Sequence, residues 1–342
     1  MTNINQSCSA GIIQKNASLD TRKVQITGKS TFIITLPKKW ALNSRMRAGS
    51  EVGFSYQEDG SVLLIPPGFT REQHSTKIIC ANRSTESIER DILALYNLGS
   101  HHSIEVHGEQ ITYECKNRIK ELCKHLIGFE IMEVSSDRIT IQNVLNTEEY
   151  TIEKAAKRMF SLAFLLFEDL IKILNEKDTI LYREMTVHSM EIDRIYYLMS
   201  RIHTEKMNAN KFSEKNELTL TQAFYHRLAT ENIDRIDDNL TKIALYFENG
   251  NDSWELTAGM TELCCFLQEM FRDVYESFKL ADSELANNVI AKSTELDPMI
   301  RTCRENADIN INPLAEIMYD SCGRIRDHIL KIANLSIELS HL

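Results

Sequence analysis

One stretch of the sequence is repeated within the second half of the chain. The segment RIDDNLTKIA at 235–244 recurs 89 residues later as RIRDHILKIA at 324–333, with six identical positions in ten. A shorter pair, SMEID at 189–193 and STELD at 293–297, recurs at an offset of 104. The offsets differ because the first copy has a longer polar connection at 203–217. Repetition at this spacing indicates that the second half folds as two copies of one unit.

Apolar residues at the start of this half follow a helical seam. They step by four and three residues in alternation, the spacing of a long bundle helix. The positions are Ile152, Ala156, Met159, Ala163, Leu166, Leu170 and Ile173. Strand signals are absent here. We therefore predict an all-α body of two three-helix repeats, 150–249 and 250–342, each with an acidic motif on its second and on its third helix.

The other end of the chain carries the opposite charge. Residues 21–50 contain seven basic side chains and no acid, so this segment is +7 whereas the whole chain is −10. The remainder therefore sums to −17. The basic residues are Arg22, Lys23, Lys29, Lys38, Lys39, Arg45 and Arg47.

Two β-hairpins and a short helix are predicted for this basic head, 21–68, after a flexible N-terminus at 1–20. The runs RKVQIT and TFIITL flank a glycine connection, and EVGFSYQ and SVLLIP flank an Asp-Gly turn. KKWALN follows Pro37 and suits a short helix. Fewer than about 50 residues in this order enclose little core, so the head is expected to need a second copy and to form a homodimer.

The head resembles the swapped-hairpin domain of AbrB and SpoVT-type DNA-binding proteins. The resemblance lies in RKVQITGKSTFIITLPKKW at 22–40, in a Gly-x-x-Val at 49–52 and in EDGSVLLIPP at 58–67. It implies an interlocked two-chain β-barrel that presents basic side chains to DNA. The seven basic residues are then the candidate DNA-binding set, since two copies of +7 would neutralise phosphates. The alternative is that these lysines merely solvate a dimerisation module.

A small α+β linker domain is predicted at 75–146. Strands near KIICA and SIEVH alternate with helices that end at Gly99 and Gly128, and a hairpin about 135–137 follows. This domain contains no glycine-rich phosphate loop and no Ser, His and acid constellation, so we expect no enzyme. The runs at 89–108 and 124–142 resemble the segment that links the halves of archaeal fused phosphate-uptake regulators.

The repeated body resembles the PhoU family, whose fold is a tandem pair of three-helix bundles. The matching third-helix stretches are DRIDDN at 234–239 and GRIRDH at 323–328. Family members bind metal clusters through acids four residues apart, which share a helical face. The resemblance implies a divalent metal or iron at Asp193, Asp234, Asp238, Asp297 and Asp327.

Three of the four motifs lack their first acid. Ser189, Ser293 and Gly323 stand in its place, which predicts a weakened site. Glu191, Glu295 and Asp237 could substitute as oxygen ligands only if the helices rotate. The alternative is that these acids form an exposed helical face, or that they pair with Arg194, Arg235 and Arg324 on the bundle surface.

Nothing in the sequence predicts a membrane span or a disulfide framework. The longest apolar run, 159–167, is far shorter than the roughly 20 residues that a bilayer requires, and the N-terminus has no signal-peptide pattern. The eight cysteines show no CxxC pair, so they are interpreted as core residues in a reducing compartment. A cytoplasmic location is expected, without membrane insertion.

Together these features predict a regulator and not an enzyme. The resemblance implies a DNA-binding regulator of phosphate uptake and intracellular phosphate homeostasis, acting negatively on phosphate transport or metabolism. Its expected partners are DNA, a second copy and the ATPase subunit of a phosphate ABC transporter. The alternative is an adaptor that dimerises through the head and docks on that transporter without binding DNA. A bundle enzyme with a dinuclear carboxylate site is poorly supported, because Glu-x-x-His ligand pairs are absent from the predicted helices.

Overall fold

The computed structural model describes residues 20–28, 30–56, 60–67, 76–145, 150–176, 180–209, 218–248, 257–306 and 313–342. The chain divides into two compact units, residues 1–71 and 72–342. The N-terminus expected to be flexible, 1–20, lies outside the described residues except for its last position. The domain boundaries at 21–68, 75–146, 150–249 and 250–342 stay predictions.

The first unit contains two small hairpins and one short helix. Strands β1 (Gln25–Thr27) and β2 (Thr31–Ile33) pair antiparallel, and β3 (Gly53–Tyr56) pairs with β4 (Val62–Ile65) in the same way. Helix α1 (Lys38–Asn43) lies between them in sequence. The predicted order of strand, strand, short helix, strand and strand is confirmed.

The described residues of this unit form no core of their own. None of its described residues is buried. Phe32 and Phe54, one from each hairpin, are 69% and 63% exposed. Other large apolar side chains are exposed too: Val24, Ile26, Ile33, Ile34, Leu42, Tyr56, Val62 and Leu63. Apolar side chains at this density ordinarily lie against another surface.

The second unit begins with a four-stranded sheet and two helices, called the α/β layer here. Its elements are β5 (Thr76–Cys80), α2 (Thr85–Leu98), β6 (Ser103–His107), α3 (Tyr113–His125), β7 (Phe129–Val134) and β8 (Arg138–Asn143). The strand order is β5-β6-β8-β7, with β5 and β6 parallel and the other pairs antiparallel. The predicted α+β region is confirmed.

Local signals explain both helices of the α/β layer. The side chains of Ser84 and Thr112 accept hydrogen bonds from the backbone N–H groups of Ser87 and Cys115, as N-cap residues do. Gly99 ends α2 with a φ of 62°, a left-handed conformation that glycine adopts without strain. The buried faces of the helices lie against alternate strand residues and form one core of Ile88, Ile92, Tyr96, Ile104, Val106, Ile119, Ile139 and Ile141.

The helical body follows. Its helices are α4 (Ile152–Glu176), α5 (Leu181–Ala209), α6 (Leu220–Glu248), α7 (Thr257–Leu280), α8 (Ser283–Lys292), α9 (Leu296–Asn306) and α10 (Pro313–Leu339). All seven positions of the predicted seam are buried in α4. Residues of both repeats contribute to one continuous core. The expectation of an all-α body is confirmed.

The second repeat departs from three continuous helices. Its middle helix is interrupted by a 3₁₀ turn, Ser293–Glu295, so that α8 and α9 are separate. Pro298 explains the break, because it has no N–H to donate to the carbonyl of Thr294 and its ring crowds that turn. Asp297 therefore lies in the first turn of α9 and not inside a long helix.

The α/β layer packs on α5 through a buried arginine. Arg201 of α5 is 1% exposed. Its guanidinium carbon lies 5.0 Å from the ring centre of Tyr96 and 5.3 Å from that of Phe129, and its Nε donates to Glu205 at 2.8 Å. The layer and the body are therefore connected by specific contacts. Among the helices in the described ranges, none combines the length and the apolar character that a membrane crossing needs.

Candidate functional site

The predicted DNA-binding residues are exposed on the first unit. This holds for Arg22, Lys23, Lys38, Lys39, Arg45 and Arg47. Lys29 lies outside the described residues. Arg22 donates to Asp20, with 3.0 Å between Nη2 and Oδ2, so an acid just outside the basic segment neutralises one of its charges. The other five have no ion pair within the described part of the chain.

Local structure explains how the central basic residues are placed. Lys38 and Lys39 form the first turn of α1, where the carbonyl of Pro37 accepts a hydrogen bond from the N–H of Ala41 at 3.0 Å. Arg45 has a φ of 53°, the left-handed conformation that ends the segment after α1. The Arg47 N–H donates to Ser50 Oγ at 3.0 Å. The helix and the turn after it thus present four basic side chains to solvent over ten residues.

The acids of the first repeat come together on α5 and α6. Asp234 is 9% exposed, and burial together with the nearby Asp238 and Asp193 raises its pKa to about 7. Burial and then Asp238 also raise the pKa of Asp193. Asp238 is exposed and accepts a hydrogen bond from Arg235 at 3.1 Å. Mutual repulsion among these carboxyls and their burial both favour the protonated form.

A fourth acid, Asp237, lies beside them but faces the interior. It is 2% exposed and accepts hydrogen bonds from Ser189 and Thr241, both at 2.9 Å. Burial raises its pKa to about 7 despite these bonds. Sequence reasoning treated it only as a substitute ligand. Its register with the buried Ile233, Ile236 and Leu240 was the signal that it belongs to the core face.

The acids of the second repeat are paired within the chain. Arg326 of α10 donates to Asp297 of α9 through Nη1, and to Asp327 through Nη2 at 3.0 Å and Nε at 3.1 Å. Asp297 and Asp327 are both exposed. Arg324, which was expected to pair with the motif acids, instead donates from Nε to Asp320 at 2.9 Å. The acids of the two repeats therefore differ in environment.

No group of three or more His, Cys, Asp or Glu side chains in the described part of the chain is arranged to hold a metal ion. The five predicted ligands are divided between the repeats, and each repeat brings together only part of the set. A divalent metal or iron at these acids stays a prediction.

Two family models match the chain. Residues 25–71 match the model described as antidote-toxin recognition MazE, bacterial antitoxin. This segment overlaps the basic head. Residues 156–247 match the PhoU domain, and they span most of α4, all of α5 and almost all of α6. The expected combination of an AbrB-type head and a PhoU domain is confirmed by these matches.

Two solved structures are similar to a little over half of this chain. PhoU from Pseudomonas aeruginosa shares 17% identity, with a TM-score of 0.47 and coverage of 56% of this chain and 95% of that one. The phosphate transport system regulatory protein PhoU from Streptococcus pneumoniae shares 14%, with a TM-score of 0.45 and coverage of 55% and 94%. Among curated proteins, none matches the sequence.

Proposed function

We propose that this chain is a DNA-binding regulator of phosphate uptake and intracellular phosphate homeostasis. The observation that carries the proposal is the PhoU domain match at 156–247 in the same chain as a strand-rich basic head that matches the MazE model. The body would respond to phosphate status while the head holds DNA. The regulator would be non-enzymatic and cytoplasmic, and would act negatively on phosphate transport or metabolism.

The charge of the head supports DNA binding. Its six described basic side chains are exposed, and five of them have no ion pair with an acid among the described residues. The rest of the chain is strongly acidic, so DNA would be attracted to the head and repelled elsewhere. Binding through phosphates would be steeply salt-dependent, whatever the base specificity.

The exposed apolar side chains of the head support a homodimer. A two-stranded hairpin is marginal alone in water, and here each hairpin exposes a phenylalanine, Phe32 or Phe54. A second copy presents the same apolar side chains in the same small unit, so the two heads can cover one another. A dimer also doubles the basic charge available to one DNA duplex.

A salt-dependent binding titration tests the DNA proposal. Full-length protein is titrated into a labelled duplex of its own upstream region at several salt concentrations. The variant Lys38→Glu with Lys39→Glu should bind more weakly, with a salt slope reduced by about 0.9 for each phosphate that it no longer neutralises. The control, Lys120→Glu with Lys242→Glu, makes the same charge change on exposed residues of the second unit and should bind like the unmodified chain.

Unchanged affinity in the Lys38 and Lys39 variant, or no salt-sensitive shift for the unmodified chain, would refute DNA binding by the head. A retained dimer with no DNA binding would favour the adaptor that docks on the ATPase subunit of a phosphate ABC transporter.

The dimer is tested separately by measuring mass in solution. The unmodified protein should have the mass of two 39.4 kDa chains. Phe32→Asp should reduce it to one chain, because a carboxylate would be placed in the shared apolar surface. Val187→Asp, at an exposed position of α5, should leave two chains. A single-chain mass for the unmodified protein would remove the dimer from the proposal.

A further inference from the structure

The two repeats can be compared position by position. An offset of 104 residues relates α4 and α5 to α7, α8 and α9. At this offset Phe167 corresponds to Phe271 and Asp193 to Asp297. An offset of 89 relates α6 to α10 and places Asp238 on Asp327. Each repeat therefore has an acid from its second helix and an acid from its third helix in corresponding places.

One position between these acids has changed its charge. Offset by 89, Asp237 of the first repeat corresponds to Arg326 of the second. Asp237 faces the interior, where Ser189 and Thr241 donate to it. Arg326 instead reaches both motif acids, Asp297 and Asp327, with three of its nitrogen atoms.

A second correspondence changes in the same direction. His188 of the first repeat, which lies 2.8 Å from Asp169, corresponds to Lys292 of the second. Lys292 contacts Asp273 at 3.3 Å, and Asp273 is the counterpart of Asp169. Lys292 also contacts Glu269 at 3.0 Å. The second repeat therefore has basic side chains at two of the positions that face its acids.

The charge balance of the two clusters follows. In the first repeat the formal charge is −3, summed over positions 193, 234, 235, 237 and 238. In the second repeat it is zero, summed over their counterparts 297, 323, 324, 326 and 327. In the first repeat, burial and then the neighbouring Asp238 and Asp193 raise the pKa of Asp234. In the second, burial lowers the pKa of Arg326, but its hydrogen bonds to Asp327 and Asp297 more than offset that effect.

We propose that Arg326 is a built-in cation of the second repeat, whose guanidinium joins Asp297 of α9 to Asp327 of α10 and closes these acids to divalent metal ions. A guanidinium is always protonated and offers several N–H donors in a fixed plane, so one side chain satisfies carboxylates on two helices. The metal expected at Asp297 and Asp327 from the family resemblance does not fit these residues as they stand.

The proposal is tested by counting bound Mn²⁺ on the full chain, from the loss of the free-ion signal in electron paramagnetic resonance. The unmodified protein and the variant Asp297→Asn with Asp327→Asn should bind the same number of ions. Arg326→Gln should bind one more ion per chain, because the two carboxylates lose their internal cation. Adding the two Asn substitutions to Arg326→Gln should remove that extra ion.

Arg324→Gln is the matched control. It removes the same charge from the same helix, two residues before Arg326. Among the described residues, the Arg324 side chain pairs only with Asp320. It should bind no extra ion. An Arg326→Gln variant that is helical by circular dichroism and binds no extra Mn²⁺ would overturn the proposal. The proposal would also be overturned if Asp297→Asn with Asp327→Asn, in a chain that keeps Arg326, bound fewer Mn²⁺ ions than the unmodified protein. This second comparison is the deciding test if Arg326→Gln does not fold. The assay contains no DNA, so its result is independent of the proposed function.

Discussion

Replacing Arg201 should loosen the α/β layer from the helical body. Its guanidinium lies against two aromatic rings and pairs with Glu205, whose side chain is 21% exposed. Two partly desolvated cation–π contacts contribute about 1 to 4 kcal/mol together. Breaking a buried pair by removing one partner costs about 3 to 5 kcal/mol. We therefore expect Arg201→Ala to lower the free energy of unfolding by about 3 to 5 kcal/mol. Most of the cation–π contribution is counted within this figure.

The same geometry predicts that much of this loss can be recovered. The terminal nitrogens of Arg201, Nη1 and Nη2, have no hydrogen-bond partner among the described residues, so the native pair carries an unrelieved desolvation cost. Arg201→Met with Glu205→Met removes both charges and keeps a long side chain against the two rings. It should recover much of the about 3 to 5 kcal/mol that Arg201→Ala loses, since apolar replacement of a buried pair is often neutral or stabilising relative to the native pair.

Urea unfolding and amide hydrogen exchange together check this prediction. Urea gives the free energy, and exchange should show that protection falls first in α2 and β7, which carry the two rings. A decrease below about 1 kcal/mol for Arg201→Ala, or a double variant no more stable than it, would refute the reasoning. Exchange that rises equally in α10 would show that the effect is not local to the layer.

Three further substitutions test particular contacts. Gly99→Ala should cost about 2 to 4 kcal/mol in urea unfolding, because φ is 62° there and a Cβ would lie 2.3 Å from Cγ of Glu205, displacing that carboxylate from Arg201. Gly323→Ala should instead stabilise the chain by about 0.5 to 1 kcal/mol, because a Cβ in α10 meets open space; a decrease in stability would contradict this. Asp237 has a folded pKa of about 7, above its ordinary value of 3.8, so the folded state holds the proton between those values and stability should fall as pH rises through that window. Asp237→Asn should flatten this fall when unfolding is measured from about pH 4 to 8 in metal-free buffer, and an equal slope in both proteins would reject the assignment.

The parts of the fold set by local signals could be predicted from the sequence. The seam of α4 needs only a spacing of three and four residues, and every one of its predicted positions is buried. The end of α2 at Leu98 was predicted because Gly99 follows the last apolar residue. The turn at Glu58 and Asp59 lies outside the described residues. Periodicity and end signals work here because each depends on residues within a few positions of one another.

The contacts that distinguish the candidate sites could not be predicted in this way. Nothing in the sequence next to Arg201 indicates that rings about 70 and 105 residues earlier will cover it. The break before α9 depends on Pro298, which lies just beyond the repeated pentapeptide at 293–297. Arg326 did leave a signal, since the two decapeptides differ at that position by a reversal of charge. Only the structure shows that Arg326 pairs with Asp297, because Asp297 belongs to a different helix.

The rotation of α5 about its axis decides which acids can reach the candidate site of the first repeat. Asp193, Tyr197 and Arg201 follow one another at four-residue steps and so share a face of that helix. Tyr197 packs against the core of the α/β layer, and the guanidinium of Arg201 lies against the rings of Tyr96 and Phe129. The layer therefore fixes the rotation of α5, since a turn of the helix would remove both side chains from their partners.

This restraint decides whether Glu191 can replace the acid missing at Ser189. Two residues along a helix are about 200° apart, so Glu191 lies on nearly the opposite side of α5 from Ser189. There it pairs with Arg158 of α4, while Ser189 donates to Asp237. Bringing Glu191 to the site would require rotating α5 by about half a turn, against the docked layer. Glu191 is therefore not a substitute ligand, and a test of metal binding by the first repeat should begin with Asp193, Asp234 and Asp238.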